Sequence, residues 1–310
     1  MEKRAIKVER ITSLASKVVG FLVFIVAAIT YISTIEPTTS FWDCGEFIAS
    51  SYKLEVGHPP GNPVFQLVAR LFTMFATPEN VALSVNLMNA LCSALTIWFL
   101  YLTILHLGRR LLEKNGKNHL SLPYSIALIG SGVVGSLVYC WSDTFWFSAV
   151  EGEVYAMSSL LTAVVFWAML KWEEEADQPY ANRWIVLISF LMGLSIGVHL
   201  LNLLAIPAIA FIYYYKKSEK FTYSRAFGVL AISAVILAVI LWGIIPYIPK
   251  IAAYVDLLFV NGFGLPFNSG AVAFMVLLLA FCFWFTYFTQ KKGMVLLNTI
   301  TLCFTMIIIG

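Results

Sequence analysis

The first polar stretch to follow an apolar beginning in this chain is EPTTSFWDCGEFIASSYKLEVGHPPGNP, residues 36–63. It carries carboxylates at Asp43 and Glu46, an ammonium at Lys53 and an imidazole at His58. Carboxylates take up protons and hold hard cations, and an imidazole can do either near neutral pH. By ligand type Asp43, Glu46 and His58 suit a divalent metal, but nothing in their spacing is diagnostic of one, and no cofactor is required. Read as a helix, FWDCGEFIASSYKLEV puts Asp43, Glu46, Ser50 and Lys53 on one face and Phe47, Ile48 and Leu54 on the other.

Two further stretches carry polar chemistry. CWSDTFWFSAVEGEVYA follows a run of aromatics with Glu151 and Glu153, at the mouth of another apolar segment. MGLSIGVHLLNLLAIP sinks His199 and Asn202 into apolar surroundings. The bland readings stand beside these. Acids and tryptophans at span ends are ordinary interfacial residues, and Trp42, Trp141 and Trp146 are read that way. His199 and Asn202 would equally satisfy backbone groups at a turn. Asp43 and Glu46 exceed what anchoring requires, because they sit beside a span mouth with an amphipathic helix next to them.

The elements that must position these residues belong to a membrane. The chain is 60% hydrophobic and 12% charged, with a mean hydropathy of +0.84, outside the range of water-soluble domains. A net charge of +3 gives nucleic acid binding no support. The expected fold is all-α, a polytopic bundle forming one transmembrane domain over residues 1–310. Apolar runs near 18–34, 84–105, 123–141, 153–171, 184–198, 201–215, 226–246, 270–289 and 294–310 predict about nine spans. The first outlasts a signal-peptide core and meets no cleavage site, so it reads as an uncleaved span.

Residues 184–215 are too long for one crossing and too short for two, about 48 Å as a helix. Charge decides between the readings. If the run enters and returns, 17 of the 20 basic residues fall inside, in segments around Lys17, Lys114 with Lys117, Arg183, Lys217 and Lys292. Only Lys53, Arg70 and Lys250 then lie outside. This places the N-terminus in the cytoplasm and His199 and Asn202 at a polar apex, which lipid tolerates only around protein or a wet cavity. The outer face becomes acidic, with Glu36, Asp43, Glu46, Glu55, Glu79, Asp143, Glu151, Glu153 and Asp256.

The first outer loop, residues 36–83, is expected to hold two interfacial helices. After GHPPG, Asn62 is a suitable N-cap and Pro63 suits the first helical position. The helix NPVFQLVARLFTMFA then sets Asn62, Gln66, Arg70 and Thr73 against Val64, Leu67, Val68, Leu71, Phe72 and Phe75, the pattern of a helix lying in the bilayer surface. The five cysteines imply no disulfide framework, although Cys44 and Cys140 both lie near the outer face, where a bridge is one reading.

Residues 36–63, followed by WFSAVEGEVYA and GLSIGVHLLNLLAIPA, resemble the membrane domain called domain of unknown function 2723. That family is similar to glycosyltransferase family 117 and includes animal protein O-mannosyltransferases of the endoplasmic reticulum. The resemblance implies a glycosyltransferase C fold in which two interfacial helices and a catalytic acid occupy the first extracytoplasmic loop. It implies a polyprenyl-phosphate sugar as donor, a protein serine or threonine as acceptor, and a hexose such as mannose as the group moved. The family's acid maps onto Asp43, with Glu46 as its neighbour. Family members generally continue further, so this chain is expected to be the N-terminal part of a longer protein.

On that reading Asp43, or second Glu46, is the general base, and Glu151 or Glu153 stabilises an oxocarbenium-like sugar. The leaving phosphate calls for a cation, and Arg70 is best placed, with Lys53 as another; Arg70 snorkelling to lipid headgroups is the plainer account. His58 binds phosphate, orients an acid or braces the turn. A bacterial inner membrane is the expected location. The rival class is a transporter or lipid flippase, which carries ionisable groups within its spans; a structural scaffold is disfavoured by the polar apex at His199.

Overall fold

The computed structural model describes residues 2–116, 121–218 and 220–310, with side chains from residue 8 onward. Lys117 lies outside the described residues, as do the side chains of Lys3, Arg4 and Lys7. Every regular element described is helical. In order these are α1 (Glu2–Ser33), α2 (Cys44–Lys53), α3 (Pro63–Thr73), α4 (Val81–Lys114), α5 (Leu122–Cys140), α6 (Asp143–Ala149), α7 (Val154–Glu175), α8 (Arg183–Ile196), α9 (Ile206–Lys217), α10 (Tyr223–Val239), α11 (Ile245–Phe263), α12 (Ser269–Lys291) and α13 (Val295–Ile309).

Six helical segments among the described residues are long and apolar enough to cross a membrane: Val8–Ser33, Pro78–Lys114, Leu122–Cys140, Val154–Glu175, Tyr223–Phe263 and Ser269–Lys291. The chain is an integral membrane protein. Three runs counted as spans in the sequence are shorter helices: α8 has 14 residues, α9 has 12 and α13 has 15. A crossing needs about 20. The expected boundary at 246 is also absent. Pro246 and Pro249 cannot donate to a helical ladder, yet α10 runs into α11 through a π turn at Ile240–Ile244, whose wider hydrogen bonding absorbs the break.

The chain divides into two compact units, Met1–Leu170 with Ser195–Asn202, and Lys171–Leu194 with Leu203–Gly310. In the first, α1, α4 and α5 pack around Val23, Ala27, Tyr31, Ala94, Ile97 and Tyr101. Small residues permit the approach: a Cβ on Gly132 would stand 2.8 Å from the Tyr101 ring. Between apolar helices in lipid this close packing, more than water exclusion, drives association. Tyr31 donates to the Cys140 carbonyl at 2.9 Å and Tyr101 to that of Ser16 at 3.0 Å, so both buried phenols are matched. A second cluster joins α2, α3, α4 and α7 through Phe47, Ile48, Phe65, Val85, Met88 and Met157.

In the second unit α9 packs on α10, and α12 on both α11 and α13. Trp172 stacks on Tyr213 with centroids 4.9 Å apart, and Glu175 accepts from Arg183 at 2.6 Å and from Trp184 at 2.9 Å. Asp256, counted among the outer acids, caps α12: its carboxylate accepts from the backbone N–H groups of Asn268, Gly270 and Ala271.

Candidate active site

The loop before α2 and the loop before α7 are tied to one helix. Asn86 of α4 donates to the carbonyls of Glu36 and Thr38 at 2.7 and 2.9 Å. Three residues on, Asn89 donates to those of Glu151 and Glu153 at 2.6 and 2.7 Å. The two loops also meet directly, Glu36 N–H donating to the Val150 carbonyl at 3.1 Å. Both asparagines are wholly buried in an apolar run. Neither stands out in the sequence, where the available signal is a pair of amides, Asn86 and Asn89, spaced to share one helix face.

Asp43 occupies the N-cap position of α2, but its carboxylate makes no capping bond and points free of the helix. The residue before it, Trp42, is 89% exposed and has φ +60°, a conformation a bulky side chain adopts only under constraint. From Asp43 the helix presents Glu46 one turn on, while Phe47, Ile48 and Ser50 turn inward. Ser50 is therefore not on the acid face: it is buried and accepts from Gln66 of α3 at 3.0 Å. Leu54 departs from its expected face too. It is the left-handed C-cap of α2 and is 54% exposed.

The GHPPG turn returns His58 to the start of α2. Its backbone N–H donates to Glu46 Oε1 at 2.6 Å, its Nδ1 lies 3.1 Å from Glu46 Oε2, and its Nε2 lies 3.9 Å from Asp43 Oδ2. His58 thus bridges the two carboxylates. The backbone and ring hydrogen bonds from His58 hold the Glu46 carboxyl below the usual carboxylate range, and the Glu46 contact raises the His58 imidazole. Glu46 is engaged twice by His58, whereas Asp43 has no donor within hydrogen-bond reach among the described residues. Of the two acids Asp43 has its oxygens open to a ligand.

Asp43 and His58 line a cavity of about 350 Å³ together with Asn62, Glu153, Tyr155 and His199. Glu153 is 6% exposed and accepts from the Cys44 thiol at 3.6 Å. Burial pushes its carboxyl up, and that of Glu151 as well. The two glutamates differ in place: Glu153 lines the cavity, while Glu151 is buried and does not line it. Cys44 and Cys140 are separate thiols, the first committed to Glu153.

The apex of the third polar stretch reaches the same cavity through α3. The Gly197 carbonyl accepts from the N–H groups of Val64 and Phe65 at 2.8 and 3.4 Å, capping α3 where Asn62 was expected to do so. A Cβ on Gly197 would stand 2.5 Å from Val64, so only glycine permits the contact. His199 follows, packed on Tyr155 at 5.4 Å, with its Nδ1 accepting from the Leu201 N–H at 3.2 Å. Burial lowers its imidazole. Asn202 is fully buried and does not line the cavity.

Neither expected phosphate partner reaches the cavity. Arg70 donates to the Tyr52 carbonyl at 2.6 Å and lies over the Tyr52 ring at 5.3 Å, which fastens α3 to the end of α2. Lys53 is exposed and stands 3.9 Å from Glu55. The second loop helix is not a plain interfacial one either: Phe65, Ala69 and Thr73 are buried against the protein, while Leu67 and Leu71 are 59% exposed.

The model of a family described as the protein O-mannosyl-transferase TMEM260 N-terminal domain matches residues 43–222, more than half of the chain. The chain belongs to this family. The matched region opens at Asp43 and takes in His58, Glu153 and His199. A similar protein is the protein O-mannosyl-transferase tmem260 of Dictyostelium discoideum, 28% identical over 147 residues, 46% of this chain and 16% of that protein. Another is the mouse protein O-mannosyl-transferase TMEM260, 25% identical over 174 residues, 56% of this chain and 22% of that protein. The matches therefore span under a quarter of either relative's length. No solved structure matches the chain.

Proposed function

We propose that the chain carries the catalytic loop of a membrane glycosyltransferase that moves a hexose, such as mannose, from a polyprenyl-phosphate carrier to a serine or threonine of a protein. The observation that carries this reading is Asp43, oxygens free, at the rim of a cavity whose other acid, Glu46, is held by His58. The names of the family and of both relatives support the reaction class.

In the reaction the acceptor hydroxyl oxygen bonds to the anomeric carbon of the sugar, and the bond from that carbon to the carrier phosphate oxygen breaks. The phosphate leaves with the electron pair and the hydroxyl proton passes to Asp43, general-base assistance worth about 10²–10⁴-fold. His58, held on Glu46 through Nδ1, keeps its Nε2 3.9 Å from that carboxylate. Glu153, which also lines the cavity, is the acid that would face the sugar as positive charge develops. A glycosyltransferase C bundle with its site on the extracytoplasmic side of a bacterial inner membrane is the architecture we assign. That the acids lie at the start of α2 and in the loop before α7, not within the candidate spans, favours transfer over transport.

The test is transfer from a panel of polyprenyl-phosphate hexoses to a serine- and threonine-containing peptide, in membranes from cells expressing the chain. Asp43→Asn should remove transfer while leaving protein level and membrane insertion intact. Near-normal transfer by that variant would refute the base assignment.

A further inference from the structure

We infer that Asp43, Glu46 and His58 hold a divalent cation of the Mg²⁺ or Mn²⁺ type at the mouth of the cavity. Each residue offers one ligand atom, and these atoms all lie within 4.8 Å of one another. Opposite ligands on one ion stand at most twice the ligand distance apart, about 4.2 Å for Mg²⁺, so a shift of about half an ångström closes the three onto a single ion. Two carboxylate oxygens and one imidazole nitrogen form a hard to borderline set, suited to Mn²⁺ or Mg²⁺ and not to the soft metals that thiolates select. All three side chains are 40–57% exposed, which leaves an entry path.

A second, independent observation points to a ligand at the same place. Asn62 lines the cavity, is 5% exposed, and neither its Oδ1 nor its Nδ2 has a hydrogen-bond partner. A buried amide left unmatched is costly. Ions of this class dehydrate reluctantly and keep several waters, and a turn of the Asn62 side chain toward the cavity would match its amide to one of them.

The cavity also needs a cation, an argument that rests on the transferase reading above. Its leaving group is a phosphate, yet no lysine or arginine is among the described residues lining the cavity, and Arg70 and Lys53 are engaged elsewhere. A divalent ion supplies the missing positive charge to the departing phosphate oxygen. Each carboxylate gives the ion one of its two oxygens, so Asp43 keeps the other for the hydroxyl proton.

Mn²⁺ titrated into the detergent-solubilised chain, followed by loss of the free-ion electron paramagnetic resonance signal, tests the site without any sugar transfer. One ion should bind per chain and be displaced by Mg²⁺. Glu46→Gln and His58→Ala should each weaken binding by at least about tenfold, and Glu79→Gln, an exposed acid outside the cavity, should leave it unchanged. Both test positions are exposed, so neither change empties the core. Absence of stoichiometric binding, or equal binding in Glu46→Gln and His58→Ala, would overturn the site. Transfer that persists in EDTA overturns the ion and spares the transferase; a bound ion with no transfer from any donor does the reverse.

Discussion

At the scale of single residues the acids divide by environment. Glu46 is exposed and its charge is favoured by His58, whereas Glu153 is buried beside the Cys44 thiol, with Glu151 and Asp43 adding negative charge nearby. A carboxyl whose folded pKa is raised contributes stability that is complete below its unfolded value and is lost as pH rises through the folded one. Glu153→Gln should therefore raise Tm relative to wild type at about pH 8, the difference vanishing toward about pH 4, where both side chains are neutral. An equal Tm difference at both pH values would show that the carboxylate is not strained by burial. Arg70 makes a contrasting case. Its guanidinium serves the Tyr52 carbonyl, so Arg70→Ala should destabilise by about 1–3 kcal/mol in a denaturant titration, while the apparent KM for the lipid donor stays within twofold. A large rise in KM with unchanged stability would return Arg70 to the role of phosphate partner.

At the scale of elements the site is an assembly of loops held by α3 and α4. Asn89→Ala would leave the buried carbonyls of Glu151 and Glu153 without their donor, at about 1–3 kcal/mol and with loss of loop position. The expected signature is a fall in kcat with the Mn²⁺ site kept, because Asp43, Glu46 and His58 all lie in the other loop. Gly197→Val, by driving a side chain into Val64, should part the apex from α3 and lower Tm by several degrees; unchanged Tm would disprove the contact. These connections explain what could be read in advance. Asp43, Glu46 and His58 stood out because charge is scarce in an apolar chain and the GHPPG turn sends the chain back. Asn86 and Asn89 did not, since their value depends on two loops that reach α4 from either side in sequence. Asn62 had the right type and place for an N-cap, but a carbonyl from residues far along the chain took that task. Run length and hydropathy predicted most helices. They ended one run at 246, whereas the helix continues through a π turn at Ile240–Ile244 and past Pro246 and Pro249 to Phe263.

At the scale of the whole molecule the site depends on which loops share a side of the membrane, because it must face the donor's sugar. Between Gly61 and Gly116 the described residues contain a single candidate span, Pro78–Lys114, which as a helix of 37 residues exceeds the hydrocarbon thickness. Reporter fusions at these two glycines should report opposite sides. The short helices pose the sharper question. At 1.5 Å per residue α8 extends about 21 Å and α9 about 18 Å, and neither spans about 30 Å of hydrocarbon. With the turn at residues 200–205 between them, they make either one broken crossing or a pair that enters and returns. Basic residues stand at both ends of the pair, Lys171 before α8 with Arg183 at its start, and Lys216 and Lys217 at the end of α9, and the positive-inside rule predicts both ends on the cytoplasmic side. Reporters at Gln178 and Ser218 should therefore fall on the same side as one at Gly116. Finding Gln178 and Ser218 on opposite sides would mean one crossing, would move every later loop across the membrane, and would refute the return at His199 on which the outward-facing apex depends.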